Sequence, residues 1–340
     1  MKASKSLKEE FFNHINLDNT ESVLSFINNG FDFKDAIGYF GLKPLNYAAV
    51  FNKFEIVKLL LDHGVNPETC FSKGKLAIHY ASMNGCIDAL RILIKNGCNL
   101  NAIDSDNNTP QVYAIRYNQN DALNLLYESG VDINPTNTFG YSLIHYAATN
   151  NKFDAIKIIT NKIKSSECDQ TKSIFGKNDD GLTPANFAAA NDHLEIFAYF
   201  IDNGCDINHK DRSGWNYIQC CAHHGSLQVL NYLAVKFNWS TELSLHINDR
   251  TNDGSTAAFI AAKNGQFEVL KLLLHYGASY NIPTNQGQTI LDVLNSKLYE
   301  IDGSINEKYK NCIRILEEYE SGNTIKINRV SKKIKTSMEI

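Results

Sequence analysis

The sequence lacks the features that would direct this protein into or across a membrane. No uninterrupted apolar segment approaches the roughly 20 residues that a membrane-spanning helix needs. The N-terminal stretch MKASKSLKEEFF contains lysines, but Lys8, Glu9 and Glu10 interrupt the apolar run that a signal peptide requires. We therefore expect a cytoplasmic protein with no transmembrane segment.

A strong charge of one sign is also missing. The formal net charge of -4 gives no reason to expect a general affinity for nucleic acid.

The eight cysteines do not have the pattern of a disulfide framework, because Cys98 and Cys205 follow a glycine in the slot that Ala278 fills elsewhere. A cysteine in such a slot typically serves as a small buried residue, and we expect these thiols to be reduced in the cytosol.

The common catalytic motifs do not occur either. There is no Gly-x-Ser-x-Gly, His-Glu-x-x-His or EF-hand pattern in the chain. Lys73-Gly74-Lys75 lacks the glycine spacing of a phosphate-binding loop. We therefore assign no catalytic residue and no cofactor, and we expect that the protein is not an enzyme.

What the sequence does contain is a repeated unit, which is clearest at residues 251–281. Asp253-Gly254 supplies a tight turn, because glycine accepts a positive φ without steric cost. Thr256 can cap a first short helix, and a leucine-rich second helix ends at Gly277. A unit of one turn and two short helices is too thin to bury its own apolar face, so it needs neighbours.

The turn glycine recurs along the chain and marks those neighbours. The marker glycines are Gly41, Gly74, Gly140, Gly181, Gly214, Gly254 and Gly287. The first step is 33 residues and the second is 66, with Asn107, which also tolerates the left-handed conformation, at the midpoint. The later steps of 41, 33, 40 and 33 residues indicate insertions of 8 and 7 residues in two repeats.

A period of 33 with a turn and two helices resembles the ankyrin repeat, whose pattern reads T-P-L-H-x-A. The best matches are Gly-Leu-Thr-Pro-Ala at 181–185 and Ser-Leu-Ile-His-Tyr-Ala-Ala at 142–148. The resemblance covers about residues 20 to 320. It implies an all-α ankyrin-repeat solenoid of about seven full repeats with degenerate caps, in which each repeat contacts only its neighbours.

The phase of the repeats predicts the organisation of the chain. Each insertion follows a second helix, so it either lengthens that helix or enlarges the next loop. The expected segments are an N-terminal capping repeat at 1–36, repeats one to seven at 37–282 with insertions near 160–177 and 234–250, a degenerate C-terminal capping repeat at 283–320, and a basic flexible tail at 321–340.

The resemblance also implies where a partner binds. In ankyrin stacks the turn fingers and first helices line a concave face, and its outward positions can be read from the marker glycine. A non-enzymatic adaptor that binds a protein or extended peptide there, as a monomer, is the expected function. The predicted contact residues are Tyr39, Phe40, Leu42, Phe51, Lys73, Lys75, Met83, Arg116, Tyr117, Phe139, Tyr141, Asn150, Arg212, Trp215, His223 and His224.

Two of these residues belong to the densest group of metal-ligand types in the chain. Cys220 lies one helical turn from His223 and His224, so two ligands could share a face. However, Cys221 matches an alanine position that points into the stack, and structural zinc normally needs four ligands in spaced pairs. We therefore expect no metal site.

Some alternatives stay open at this point. The acidic residues 317–320 resemble secretion signals of ankyrin effectors that intracellular bacteria deliver into host cells, which would place the protein in a host cytosol. An enzyme with its chemistry in the insertions would use Cys168 and His246, but the sequence assigns them no base or orienting partner. Asn134 and Asn208 lie in contexts like those of hydroxylated asparagines in other ankyrin proteins.

Overall fold

The computed structural model describes residues 2–34, 36–70, 73–165, 174–236, 244–299 and 304–321. The chain divides into two compact units, Met1–Gly176 and Lys177–Ile340. The predicted basic tail, apart from residue 321, and Cys168 lie outside the described residues.

The first unit consists of paired short helices. The helices are α1 (Lys2–Asn16), α2 (Thr20–Asn28), α3 (Pro44–Val50), α4 (Phe54–Asp62), α5 (Ala77–Asn84), α6 (Ile87–Lys95), α7 (Pro110–Arg116), α8 (Asn120–Glu128), α9 (Leu143–Thr149) and α10 (Phe153–Lys164). A single 3-10 turn, Tyr39–Gly41, precedes α3.

The second unit repeats the same alternation. Its helices are α11 (Pro184–Ala190), α12 (Leu194–Asp202), α13 (Tyr217–His224), α14 (Leu227–Lys236), α15 (Ser244–Ile247), α16 (Ala257–Lys263), α17 (Phe267–His275), α18 (Ile290–Lys297) and α19 (Glu307–Glu320). In the described part of the chain the only β-pairing is two isolated bridges, Thr136 with Ser142 and Tyr299 with Ile305. The all-α prediction is confirmed.

The two helices of a repeat are buried differently. In α16 every residue from Ala257 to Ala262 is buried, because this first helix is packed on both sides by other first helices. In α17 only one face is buried, through Val269, Leu270, Leu273 and Leu274. Removing a leucine side chain from water contributes about 1.5–3 kcal/mol, so this shared core supplies most of the stability of a repeat.

In most of the described repeats the turn between repeats, which we call the finger, is closed by one polar side chain three residues before the marker; in the first finger the backbone of Gly38 closes it instead. In the sixth repeat, Asp211 Oδ1 accepts the backbone N–H groups of Ser213 and Trp215 at 2.8 and 2.9 Å. Asp104, Asn137 and Asn178 accept the corresponding pairs of N–H groups in their own fingers. These bonds hold the turn, so the finger keeps its shape whatever side chain stands at its tip.

Neighbouring fingers are also joined backbone to backbone. In the second unit, Arg212 N–H donates to Asp180 O at 3.1 Å, and Asn252 N–H donates to Ser213 O at 3.0 Å. The acceptor is each time the residue before the marker glycine. Gly254 shows why glycine is needed beside it, since its φ is +85° and a Cβ would lie 2.6 Å from the backbone nitrogen of Asn285.

In several repeats a polar side chain five residues after the marker joins the first helix to the next repeat. His79 accepts the Leu76 N–H at Nδ1 (3.0 Å), so its other nitrogen carries the proton and donates to Ala102 O at 3.1 Å. Gln219 makes the same two bonds, from Asn216 N–H at 2.8 Å and to Asp249 O at 2.7 Å. We call this paired contact the inter-repeat staple.

Both insertions begin by lengthening the second helix. α10 has 12 residues and α14 has 10, whereas α4, α6 and α8 have nine each. Of the two alternatives left by the sequence, a longer helix is therefore correct for the described part. The remainder of each insertion, 166–173 and 237–243, lies outside the described residues.

The seven cysteines that the structure describes are free thiols, and six of them are buried. Burial raises the pKa of Cys98 and of Cys220 to about 12, so these thiols stay protonated and unreactive at neutral pH.

The staple can be tested by comparing two substitutions of His79. His79→Leu leaves the Leu76 N–H and the Ala102 carbonyl buried without partners, which we expect to lower the free energy of unfolding by about 3 kcal/mol. His79→Gln should lose much less, because Gln219 makes both bonds from the same position. Urea denaturation followed by circular dichroism measures both. If His79→Leu is as stable as the unchanged protein, the staple does not stabilise the stack.

The same histidine predicts a pH dependence. Burial lowers the pKa of His79, because a charged imidazole would be desolvated and would place a second proton against the Leu76 N–H. The unfolded chain therefore binds a proton more readily, and this part of the stability is lost as pH falls from about 6.5 toward the folded-state pKa. Between pH 7.5 and pH 5.0 the unchanged protein should lose more stability than His79→Gln. Equal losses would mean that His79 titrates normally.

Candidate partner-binding face

The residues predicted to contact a partner lie mainly on the fingers and on the ends of the first helices, which we call the finger face. Of the predicted residues, Leu42 is buried. Four more are half-buried, namely Lys75, Met83, Tyr141 and Trp215. The predicted residues that are exposed are Tyr39, Phe40, Phe51, Lys73, Arg116, Tyr117, Phe139, Asn150, Arg212, His223 and His224.

Large apolar side chains are exposed on the finger face of the first unit. Phe40 is 85% exposed, Phe139 is 65% exposed and Tyr117 is 48% exposed. Phe40 and Phe139 occupy the same place in their fingers, immediately before the marker glycine. Exposed aromatic rings of this size favour a contact surface, because they cost solubility and contribute little to the isolated fold.

Phe40 is also held in an unfavourable backbone conformation. Its φ of +58° and ψ of 15° lie in the left-handed region, where a bulky side chain is a genuine outlier. For residues other than glycine this conformation costs roughly 1–2 kcal/mol. Lys73, at the equivalent position of the second finger, has the same left-handed conformation, with a φ of +61°.

The burial of Leu42 contradicts its prediction as a contact residue. It was expected to point outward because it follows the marker glycine, but it is only 7% exposed. Its backbone is extended, with φ −83° and ψ 144°, as the chain turns from the finger into α3. We therefore remove Leu42 from the candidate surface.

Several of the predicted aromatic residues contact other side chains of the protein and are also partly exposed to solvent. The Phe51 ring lies 4.9 Å from that of buried Tyr47, and Tyr39 donates its hydroxyl hydrogen to Asn13 Oδ1 at 3.2 Å. The Tyr141 ring lies 5.8 Å from His145. These side chains support the finger face from behind, so Phe40 and Phe139 are the more independent contact residues.

The predicted contact residue Asn150 has a structural role that the sequence did not reveal. Its amide donates to Tyr146 O at 2.8 Å, one turn back, and so closes the end of α9. Asn84, Asn191 and Asn264 close α5, α11 and α16 in the same way. The recurring asparagine is therefore a helix cap, with its side chain only partly available to a partner.

A column of tyrosines behind the fingers was missed as a functional feature. Tyr47, Tyr80, Tyr113 and Tyr146 stand 33 residues apart, six positions after each marker. The spacing is visible in the sequence, but nothing there shows what surrounds the rings.

Two cations gather at one ring of this column. Lys75 Nζ lies 5.0 Å from the Tyr113 ring centroid, and the Arg116 guanidinium carbon lies 5.5 Å from it. Arg116 also donates from Nε to the Tyr146 hydroxyl at 2.8 Å. The buried Tyr113 hydroxyl donates to Asp104 Oδ2 at 2.5 Å. Burial alone would raise the pKa of Asp104, but this bond and those from Asn108 hold it below its usual value.

On the second unit the finger face has a different character. The Trp215 ring packs 5.3 Å from His223, whose ring lies 4.7 Å from that of His224. Burial lowers the pKa of both histidines, so they are neutral at pH 7. Arg212 is exposed on the same finger as Trp215, and the nearby positive charge of Lys263 lowers the pKa of His223 further. This face is aromatic with cations around it.

The proposed metal-ligand cluster is divided between core and surface. Cys220 and Cys221 are buried, and the Cys220 thiol donates to Asn186 O at 3.5 Å, whereas His223 and His224 are exposed. Among the described residues no group of three or more potential ligands could hold a metal ion.

His246, considered as a catalytic residue in an insertion, has a carboxylate partner. Its Nδ1 lies 3.1 Å from Asp249 Oδ2, which also contacts Lys210 Nζ at 2.7 Å. The cavity beside this group, which Tyr217 also lines, has a volume of about 20 Å³. That is room for roughly one water molecule and not for a substrate. The contacts therefore favour a structural ion-pair group.

The fold and the finger face together define a helical repeat protein with exposed aromatic side chains on its fingers. The family model described as ankyrin repeats (3 copies) matches residues 12–104, 45–137, 112–211, 144–242 and 218–296. The chain therefore belongs to the ankyrin repeat family, and the predicted ankyrin fold is confirmed. Ankyrin repeats generally serve as protein–protein interaction modules. Of the helices that the structure describes, none combines the length and the apolar character that crossing a bilayer requires.

Individual relatives match the chain only in part. It is 34% identical over 85 residues to a putative ankyrin repeat protein of Rickettsia bellii (strain RML369-C), covering 24% of this chain and 12% of that protein. It is 28% identical over 112 residues to the probable 26S proteasome regulatory subunit p28 of Saccharomyces cerevisiae, covering 32% and 47%. A match to ankyrin repeat and SOCS box protein 3 of Bos taurus is 26% identical and covers 33% and 21%. The chain thus spans less than half the length of each of these relatives.

One substitution of the strained residue Phe40 should have opposite effects on stability and on binding. Phe40→Asn relieves the left-handed strain while removing little buried surface, so the free energy of unfolding should rise by about 1 kcal/mol. If the ring contacts a partner, the same change should weaken binding at least about tenfold. Denaturation and a binding titration measure the two effects. A variant that is more stable and binds unchanged would remove Phe40 from the contact surface.

Proposed function

We propose that this protein is a non-enzymatic adaptor that binds a protein or extended peptide on its finger face. The observation that carries the proposal is the placement of Phe40 and Phe139, two largely exposed phenylalanines at equivalent fingertip positions of the first unit. Asn137 accepts the turn hydrogen bonds behind Phe139, and the backbone of Gly38 closes the finger of Phe40, so neither ring is needed to form its finger. Burying such a ring against a partner can contribute roughly 2 kcal/mol or more.

The printed names of two relatives are consistent with a role in protein assemblies. One is named as a probable regulatory subunit of the 26S proteasome, and another combines ankyrin repeats with a SOCS box. Each name describes that relative alone. For this chain we propose only the shared principle, a repeat surface that holds another polypeptide.

We propose further that the protein acts in the cytosol as a monomer. Delivery into a host cell as a bacterial effector would change where it acts and would leave the same face to engage a host protein. An enzymatic role would need a site larger than the one-water cavity beside His246.

The proposal is tested by matched phenylalanine substitutions. Phe139→Ala on the finger face should leave the melting temperature within a few degrees and weaken a bound peptide or protein at least about tenfold. Phe54→Ala is the control, because Phe54 is also exposed but lies at the start of the second helix α4. Isothermal titration with a ligand selected on the full chain gives the affinities.

Three results would count against the proposal. Loss of binding in Phe54→Ala alone would place the partner on the second helices. Unfolding of Phe139→Ala would make this ring part of the packed stack. Undiminished binding by both variants would move the contact to the insertions or the tail.

A further inference from the structure

We propose that the finger face of the first unit recognises an acidic peptide segment, with Lys75 and Arg116 as the groups that bind its carboxylates. This inference rests on the proposed function, because it names the chemistry of the partner for one part of that face. It is carried by the way these two cations are held.

Lys75 and Arg116 stand at the same aromatic ring, and neither is paired with a carboxylate in the described part of the chain. Both lie within 5.5 Å of the Tyr113 ring centroid. Among the described residues neither forms an ion pair. The ring attracts each cation but carries no net charge, so it does not neutralise them. The carboxylates of a ligand could therefore pair with both cations.

The nearby carboxylates are already committed to partners within the protein. Asp104 is buried and accepts hydrogen bonds from the Tyr113 hydroxyl and from the N–H groups of Asp106 and Asn108. Asp106 lies 4.0 Å from Lys73. Of the other acidic residues in the turns between these repeats, Glu68 accepts the Asn99 N–H and Asp132 accepts the Asn134 N–H. None of the described carboxylates of this face forms an ion pair with Lys75 or Arg116.

Arg116 is oriented in advance for a ligand. Its Nε donates to the Tyr146 hydroxyl at 2.8 Å, and its Nη2 donates to Asn108 Oδ1 at 3.5 Å. A guanidinium has five N–H donors, so three remain for an incoming group. Since the side chain is already fixed by two tyrosines and an asparagine, less conformational entropy is lost when a carboxylate binds. Arginine is also the residue best suited to grip a carboxylate with two parallel bonds.

The surroundings favour a peptide over a nucleic acid. Phe40, Tyr117 and Phe139 expose apolar rings on the same face, which suit apolar side chains between the acidic ones. The chain as a whole has a net charge of -4, which opposes a long polyanion whose affinity depends on many phosphate contacts. A short acidic segment meets only the local positive field.

The test begins with selection of a random dodecapeptide library, displayed on phage, against the full-length protein. The strongest binder is synthesised with a fluorescein label, and its dissociation constant is measured by anisotropy. We expect the selected peptides to carry two or more Asp or Glu residues among apolar residues. The double variant Lys75→Gln/Arg116→Gln should weaken the labelled peptide about tenfold or more.

A matched control variant and a charge-reversal variant distinguish a loss of peptide recognition from a loss of folding. Lys58→Gln/Arg91→Gln removes one exposed lysine and one exposed arginine from the second helices α4 and α6, and it should leave affinity unchanged. Arg116→Glu should shift a fresh selection toward peptides rich in Lys and Arg. A misfolded protein could not produce that gain, so this variant keeps the test decisive.

The remaining outcomes distinguish the inference from the proposed function. Selected peptides that need Phe139 but lack acidic residues, or that bind the Lys75/Arg116 double variant equally well, would overturn the acidic preference and leave the adaptor role intact. Failure to select any peptide that depends on the finger face would overturn both. Tighter, Arg116-dependent binding of a fluorescein-labelled oligouridine RNA would overturn the inference in favour of nucleic acid.

Discussion

A polar side chain five residues after the marker joins one repeat to the next where the sequence provides it. His79 and Gln219 each accept the N–H that opens their own helix and donate to a carbonyl of the following repeat. Asn186 accepts the Thr183 N–H at 2.9 Å, but its amide nitrogen has no partner among the described residues. Val112 and Phe259 at the same position have no polar group in the side chain. The strength of the joint therefore varies along the chain, and stability should vary from repeat to repeat.

This constraint separates the residues that hold the stack from those that can contact a partner. The first helices are buried almost completely, and the finger turns are closed by the residue three before the marker, so the fold leaves the tip of each finger unspecified. The tips differ accordingly: they are Phe40, Lys73, Asp106 and Phe139 in the first unit, and Asp180, Ser213 and Asp253 in three fingers of the second. Variation confined to positions that the fold does not need is what a binding surface on a repeat scaffold requires.

The sequence predicted the fold well because the fold is periodic. The marker glycines, the Thr-Pro helix start at 183–184 and the leucine spacing of α17 each report a local backbone requirement that repeats. The candidate site was predicted less well, because exposure depends on neighbours rather than on phase. Leu42 is buried as the chain enters α3, and Asn150 is a helix cap. The tyrosine column was readable as a 33-residue spacing, but its two cations become meaningful only when Lys75 and Arg116 are seen at one ring.

Two unusual features occur on the finger face of the first unit. A phenylalanine is held in a left-handed conformation at the tip of the first finger, and two cations contact one tyrosine ring two repeats further along the chain. The second finger holds Lys73 in the same left-handed conformation at the equivalent position, so the turn tolerates different side chains there and does not require a phenylalanine. Local departures from the rules that stabilise a fold tend to occur where function needs them. A ligand that covers Phe40 with apolar surface and offers carboxylates to Arg116 would use both features, and for that reason we infer that one extended partner spans both.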